Sequence, residues 1–302
     1  MKILLTGGSG FVGKNIYNHL KGIGYDVLPI SSKDYDLRNF DSCGKIISHY
    51  IPDIIVHAAG MVGGIKANLE NPGKFMYDNL SMGINMIEQS RIHRSPKFIM
   101  LGTVCAYPKH TPVPFKESDL WNGYPEETNA PYGIAKKALM ELGETYYEQY
   151  GMNVVNLIPV NMYGPHDHFN TTTSHVIPAL IMKFIEARDN GETVELWGTG
   201  QASREFLHAR DFARAVELAI KTNVSPEPIN IGTGKEIKII DLAYMIAKKV
   251  DYCGDIKFNG KLDGQPRRCL DTSRAKTLLG FESEIDLSEG LDETIEFFKK
   301  TY

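Results

Sequence analysis

Two kinds of apolar pattern alternate along the chain, short unbroken runs and longer stretches with a helical repeat. Lys2 to Thr6 is a short run of β-formers, a glycine-rich turn follows, and Phe11 to Ile23 carries apolar residues at helical spacing. Tyr25 to Ile30, Asp53 to Ala58 and Lys97 to Gly102 read as further strands, each separated from the next by enough chain for a helix. Ala130 to Tyr150 is a long helical pattern, and Val154 to Pro159 is a strand leading into Asn161-Met-Tyr-Gly-Pro165. Strands that alternate with helices predict an α/β fold with a doubly wound parallel sheet of the Rossmann type. Beyond residue 165 the alternation becomes irregular, with a Thr-rich loop, a helix beginning near Ser174, a turn at Trp197-Gly-Thr-Gly200 and a return to the sheet at Ile229-Asn-Ile231. The pattern predicts a nucleotide-binding domain over 1–165 with return segments near 204–232, and a smaller α/β substrate lobe over 166–203 and 233–302, interwoven with it.

Composition narrows the function. The 302 residues are 42% hydrophobic and 23% charged with a net charge of -4, an ordinary globular balance that offers no basic stripe for a nucleic-acid backbone. Cys43, Cys105, Cys253 and Cys269 lie far apart, with neither metal-ligand spacing nor the density of a disulfide framework, which predicts a reducing cytoplasm and no metal site. Glycines cut the first apolar run well short of signal-peptide or membrane-span length, so no membrane partner is expected.

Gly7-Gly8-Ser9-Gly10-Phe11-Val12-Gly13 directly follows the first strand and opens a helix. In that context missing side chains let backbone N–H groups approach a pyrophosphate at the positive helix end. The second strand ends in Ser31-Ser32-Lys33, hydroxyls and a cation where an NAD site carries an acid, which favours NADP(H), while Asp34 is the feature an NAD site would use. Farther on, Pro131-Tyr132-Gly-Ile-Ala-Lys136 puts a phenol and an ammonium on one helix face. A nearby cation favours phenolate, so the pair is expected to exchange a proton with a substrate oxygen near neutral pH.

With a GxxGxxG loop, a YxxxK pair and Thr103 at the end of the fourth strand, the sequence resembles the extended short-chain dehydrogenase/reductases, and among them the GDP-L-fucose synthase family. The second likeness runs over nearly the whole chain: Val62-Gly-Gly-Ile-Lys-Ala-Asn68, Leu101-Gly-Thr-Val-Cys-Ala-Tyr-Pro-Lys109, Asn161-Met-Tyr-Gly-Pro-His-Asp167, Ser174-His-Val-Ile-Pro-Ala-Leu180, and Trp197-Gly-Thr-Gly200 with Arg204-Glu-Phe-Leu-His208.

The resemblance implies an NADPH-dependent enzyme that epimerises C3 and C5 of a GDP-linked 4-keto-6-deoxy sugar and then reduces C4. It implies that Cys105 and His175 move the protons at C3 and C5, Tyr132 protonates the C4 oxygen, Lys136 sustains Tyr132 and holds the nicotinamide ribose, and Thr103 hydrogen-bonds the same oxygen. If the strand geometry continues past Gly102, Thr103 and Cys105 point to one side. By the same likeness Lys183, Arg204 and Arg268 face the diphosphate, and Asn161 and Trp197 line the nucleotide or sugar. Asp36 and Leu37 sit by adenine, Ala58, Ala59 and Gly60 run along the cofactor, Pro159 and His175 complete its shell, and two helices of each subunit pair in a homodimer. Three positions depart from the family pattern: Thr103 for Ser, Ser9 for an arginine at the 2′-phosphate, and Lys183 for Arg, which loses bidentate geometry. An altered sugar would follow, so a C4 reductase of a related GDP-4-keto sugar such as a heptose is the alternative. Thr-Val-Cys at 103–105 stands where a 4,6-dehydratase has Thr-Asp-Glu, a 4-epimerase has no need of the Cys/His pair, and the intact Thr103, Tyr132 and Lys136 set argues against a non-catalytic sensing module.

Overall fold

A computed structural model of the chain describes residues 1–170, 174–260 and 265–302. The Thr-rich loop at 171–173 lies outside the described residues. In chain order the elements are β1 (Lys2–Thr6), α1 (Phe11–Gly22), β2 (Asp26–Ile30), α2 (Phe40–Tyr50), β3 (Ile54–His57), α3 (Ile65–Glu70), α4 (Pro72–Ile92), β4 (Lys97–Leu101), α5 (Ala130–Tyr150), β5 (Val154–Pro159), β6 (Asn161–Tyr163), α6 (Val176–Asn190), β7 (Val194–Leu196), β8 (Ser203–His208), α7 (Ala209–Lys221), β9 (Ile229–Ile231), β10 (Glu236–Lys238), α8 (Ile239–Lys249), β11 (Ile256–Phe258), α9 (Ser273–Leu279) and α10 (Leu287–Thr301).

Six strands form one parallel sheet in the order β2-β1-β3-β4-β5-β9. Its central strands are buried end to end, β4 and β5 at every residue, as a sheet covered by helices on both faces requires. Ile3, Leu5, Val56, Ile99, Leu157 and Ile229 pack toward Phe212 and Val216 of α7 on one face. On the other, Leu4, Ile55, Phe98 and Met100 meet Ile46, Met86 and Leu139 from α2, α4 and α5. Alternate residues of each strand thus feed opposite cores, the period-two consequence of the pleat. The expected α/β parallel fold is the one found.

The irregular region resolves into a three-stranded sheet, β10-β8-β6, and a parallel pair, β11-β7. They share a separate apolar core of Phe184, Leu196, Leu242, Ile246, Leu291 and Phe298. The chain crosses between the two cores several times, since β9 returns to the large sheet beside β5 after β8 has joined the small one. Among the described residues no helix is long and apolar enough to cross a membrane.

Candidate active site

β1 has β2 on one side and β3 on the other, so the crevice of the doubly wound sheet opens at the carboxyl ends of β1 and β3. Gly7 leaves β1 with φ +68°, and a Cβ there would lie 2.8 Å from the Ala59 backbone of the loop after β3. The Gly8 N–H donates to the Ile30 carbonyl (2.9 Å) and the Gly10 N–H to that of Gly7 (3.0 Å), folding the loop back on itself. A Cβ on Gly13 would fall 2.1 Å from the Gly7 carbonyl oxygen, so the first turn of α1 packs directly on the loop. Gly10 caps α1 without a side chain and no acid stands in its first turn, which leaves the positive helix end to a ligand. A cradle closed to a Cβ at Gly7, Gly8 and Gly13, with N–H donors and no acid, fits a dinucleotide pyrophosphate. Ser9 is exposed at its rim and Phe11 and Val12 are half-buried behind it.

Around the cradle, Thr6 Oγ1 hydrogen-bonds His57 Nδ1 (2.9 Å) and accepts from the Ala59 N–H (3.1 Å), fixing Ala58, Ala59 and Gly60. Burial, with the Lys136 charge second, pushes His57 down to about 3 and keeps it neutral. After β2, the Ser31 N–H and hydroxyl both donate to Asp34 (2.8 and 2.7 Å), bonds that hold its carboxyl below the usual range. Ser32 and Lys33 stand exposed beside it. Asp36 is clasped by Arg38 (2.9 Å to each oxygen), whereas the Leu37 side chain is buried among Cys43 and Ile46. Pro159 ends β5, buried.

The catalytic candidates assemble where β4 ends. The strand does not continue through Thr103, so the condition for Thr103 and Cys105 to share a side is not met: Gly102 still pairs with Leu157 (2.7 Å), but Thr103 then caps a tight 3-10 turn, Val104–Ala106, its Oγ1 accepting from the Cys105 N–H at 3.2 Å. A side chain that can cap its own backbone competes with the ladder for the next donor, which ends the strand. The amino end of α5 sits against this turn, so close that a Cβ on Gly133 would lie 2.3 Å from the Cys105 carbonyl oxygen. That approach brings the Tyr132 and Thr103 side chains into a hydrogen bond. One turn along, the buried Lys136 ammonium donates to the Leu101 carbonyl (3.0 Å), and burial lowers it to about 8. The expected phenolate is not what this arrangement favours. Burial first, and then the charge Cys105 carries when ionised, raise the Tyr132 pKa, opposed only by the Thr103 bond. The Tyr132 phenol keeps its proton.

His175 occupies the cap position before α6, exposed and without a capping bond. Crowding by surrounding protein, then the neighbouring His168, lower its pKa although the residue keeps an open surface. Among the described residues no hydrogen bond joins it to Cys105. Lys183 and Trp197 form a second group, the ammonium 5.7 Å from the centre of an exposed indole and 3.2 Å from the Glu195 carbonyl. Arg204 donates to the Ser203 carbonyl (2.7 Å), and the Asn161 amide to that of Glu205 (3.1 Å). Arg268 lies beside Cys105, its Nη1 3.6 Å from the sulfur.

Sequence reasoning passed over Gly133, whose absent side chain seats α5, and Asn79, buried in α4, whose amide donates to the Met61 carbonyl (3.0 Å) and accepts from the Met61 N–H (3.1 Å) beside Gly60. A polar residue on the buried face of a helix was the one available signal for Asn79.

Residues 3–232 match the NAD dependent epimerase/dehydratase family. A GDP-L-fucose synthase of Escherichia coli (strain K12) is 39% identical over 98% of this chain and 96% of its own, and a GDP-L-colitose synthase of Yersinia pseudotuberculosis 37% identical over 99% and 98%. A solved GDP-mannoheptose C4 reductase of Campylobacter jejuni with NADP bound superposes with a TM-score of 0.90 at 29% identity, covering 99% of this chain and 98% of that one. With the glycine cradle at the switch point and the Thr103, Tyr132 and Lys136 group beside it, these matches show that the chain belongs to the NAD dependent epimerase/dehydratase family, alongside its GDP-L-fucose synthases.

Proposed function

We propose that this protein is an NADPH-dependent epimerase and reductase that converts a GDP-4-keto-6-deoxy-mannose-type sugar nucleotide to GDP-L-fucose. The observation that carries the reading is the convergence of Thr103, Cys105, Tyr132 and Lys136, a half-buried thiol beside a buried phenol and a buried ammonium. The likeness to GDP-L-fucose synthases supports the substrate class.

The pyrophosphate of the cofactor would rest on Gly7, Ser9, Gly10, Phe11, Val12 and Gly13, its 2′-phosphate by Ser32 and Lys33, adenine by Asp36 and Leu37, and the rest along Ala58, Ala59 and Gly60 toward Pro159 and His175. NADPH, when bound, supplies hydride to C4. Tyr132 gives its proton to the C4 oxygen, Thr103 shares that oxygen through its hydroxyl, and Lys136 keeps a positive charge beneath both. Cys105 and His175 remove and return the protons at C3 and C5, carbons acidified by the C4 ketone. Lys183, Arg204, Trp197 and Asn161 receive the nucleotide end. Residues 1–165 with the returns near 204–232 then serve the cofactor, and 166–203 with 233–302 the sugar nucleotide.

Incubation with NADPH and GDP-4-keto-6-deoxy-mannose in D₂O tests the reading, with deuterium located in the product by NMR. NADPH loss with label at C3 and C5 is expected, and label vanishing in Cys105→Ser assigns the base. Loss of NADPH without label would replace this reading with a C4 reductase of a related GDP-4-keto sugar such as a heptose, which the likeness to a heptose reductase favours.

A cytoplasmic homodimer completes the proposal. α4 and α5 pack along one another and leave Tyr77, Ile84, Tyr147 and Tyr150 exposed, an apolar face suited to a second copy. Sedimentation velocity should give twice the chain mass, and a single-chain mass at micromolar concentration would sink the dimer.

A further inference from the structure

The turn after β2 is built at the mouth of the glycine cradle. The Gly8 N–H donates to the Ile30 carbonyl (2.9 Å), and a Cβ on Gly8 would lie 2.4 Å from the Pro29 Cβ, so the end of β2 runs directly against the loop. Ser31, the next residue, stands where a doubly wound fold meets the adenosine ribose. Five hydrogen bonds then fold residues 31–35 back onto it. The Asp34 and Tyr35 N–H groups donate to the Ser31 carbonyl (3.0 and 3.1 Å), and the Lys33 N–H donates to Ser31 Oγ (3.3 Å). The Ser31 N–H and hydroxyl donate to Asp34 Oδ2 (2.8 and 2.7 Å).

This turn delivers a carboxylate to the strand end from three residues further along the chain. A Rossmann site for NAD usually carries its acid on the strand end itself, where it binds the ribose 2′-hydroxyl. Here the Ser31 hydroxyl takes that place and holds the Asp34 carboxylate one hydrogen bond farther out, with both Ser31 bonds on Oδ2 and Oδ1 on the other side of the group. Those bonds also keep the carboxylate charged. Two cations lie on the same connection, Lys33 and Arg38. Arg38 is committed within the protein, its Nε and Nη2 clasping Asp36 (2.9 Å each) and its Nη1 reaching Asp78 of α4 at 3.4 Å. Lys33 is exposed next to Asp34, and Ser9 is exposed at the rim of the cradle. An acid suited to a hydroxyl and a lysine suited to a phosphate thus share one turn.

We infer that the turn 31–34 admits both reduced nicotinamide cofactors, with Asp34 accepting from the adenosine 2′-hydroxyl of NADH and Lys33 facing the 2′-phosphate of NADPH. The inference rests on the cradle binding a dinucleotide, and it adds a second hydride donor to the proposed reaction. A 2′-phosphate gains the Lys33 ammonium and bears the Asp34 charge, whereas a 2′-hydroxyl donates to Asp34 and forgoes the lysine. The two differences oppose each other, so the turn discriminates weakly. Lysine sharpens the choice less than arginine would, because a point charge lacks the bidentate fork that grips a phosphate. Beyond the ribose the two cofactors are identical: the same hydride passes to C4 and Tyr132 gives the same proton.

Fluorescence titration of the protein with each reduced cofactor reads the turn without catalysis. The Kd for NADH should lie within about thirtyfold of that for NADPH. Asp34→Asn, which keeps an oxygen for Ser31 and drops the charge, should weaken NADH about tenfold and tighten NADPH about threefold, widening the preference by about thirtyfold. Lys33→Gln should weaken NADPH about tenfold and leave NADH within about twofold. Both side chains are exposed, so these variants should melt with the unmodified chain, and kcat/KM for reduction of the 4-keto sugar with each cofactor should follow the same ratios. A Kd for NADH more than about thirtyfold above that for NADPH overturns the inference, as does a preference that Asp34→Asn leaves unchanged. Binding of neither cofactor is a different result: it removes the dinucleotide reading of the cradle, and this inference falls with it.

Discussion

Tyr132→Phe lowers kcat for NADPH-dependent reduction of the 4-keto sugar about a thousandfold, and leaves the Kd for NADPH within about twofold. The size follows from what the phenol does in this site. Burial and the neighbouring Cys105 raise its pKa, so the proton is held through the neutral range and released only to an oxygen that has become strongly basic, as the C4 oxygen does when hydride arrives. Removing a positioned general acid of this kind costs on the order of 10² to 10⁴ in rate, and a thousandfold corresponds to about 4 kcal/mol of lost transition-state stabilisation. The fold should tolerate the change, because Thr103 Oγ1 keeps the Cys105 N–H as a partner and only one buried bond, worth about 1 kcal/mol, disappears. Steady-state oxidation of NADPH at 340 nm, beside a fluorescence titration of NADPH, reads both quantities. A kcat reduced less than about tenfold would show that another group delivers the proton.

The sheet was legible because its strands are nearly unbroken apolar runs. Lys2–Thr6 and the long helix Ala130–Tyr150 were placed at their observed bounds, and the other early strands within a residue at each end. The glycine loop was legible for a different reason: a strand, a close backbone turn and a helix in that order leave few positions where a side chain fits. What failed was anything set by contacts between distant segments. The turn at Thr103 depends on a hydroxyl capping its own chain, a choice the strand pattern cannot announce. The protonation of Tyr132 depends on its burial at the amino end of α5 and on Cys105, whereas four-residue spacing to Lys136 suggests the opposite sign; the ammonium goes to the Leu101 carbonyl. Arg268 lies 163 residues from Cys105 in the sequence, and the fold brings them within 3.6 Å. The motifs thus identified the chemistry, while the electrostatics of that chemistry came from tertiary packing.

Gly13→Ala carries the second large effect, a loss of NADPH affinity on the order of a hundredfold together with about 2 kcal/mol of stability. The Cβ would be built 2.1 Å from the Gly7 carbonyl oxygen and 2.8 Å from the Gly7 carbonyl carbon and the Gly8 Cα, all of them backbone atoms that no rotamer change can clear. Either α1 or the loop must move, and both are held: Gly8 by the Ile30 carbonyl, and Gly7 with φ +68° against the Ala59 backbone. A shift of this kind misdirects the N–H groups that a pyrophosphate would meet. Weakening two bonds to a charged group, each worth about 1.5 kcal/mol, gives about 3 kcal/mol, or roughly a hundredfold. The strain in a close-packed site accounts for the loss in stability. Thermal unfolding with and without saturating NADPH separates the two, since the stabilisation conferred by a ligand shrinks as its Kd rises. If the variant melts lower yet NADPH raises its Tm as much as in the unmodified chain, the cradle does not bind the pyrophosphate and the glycine serves packing alone.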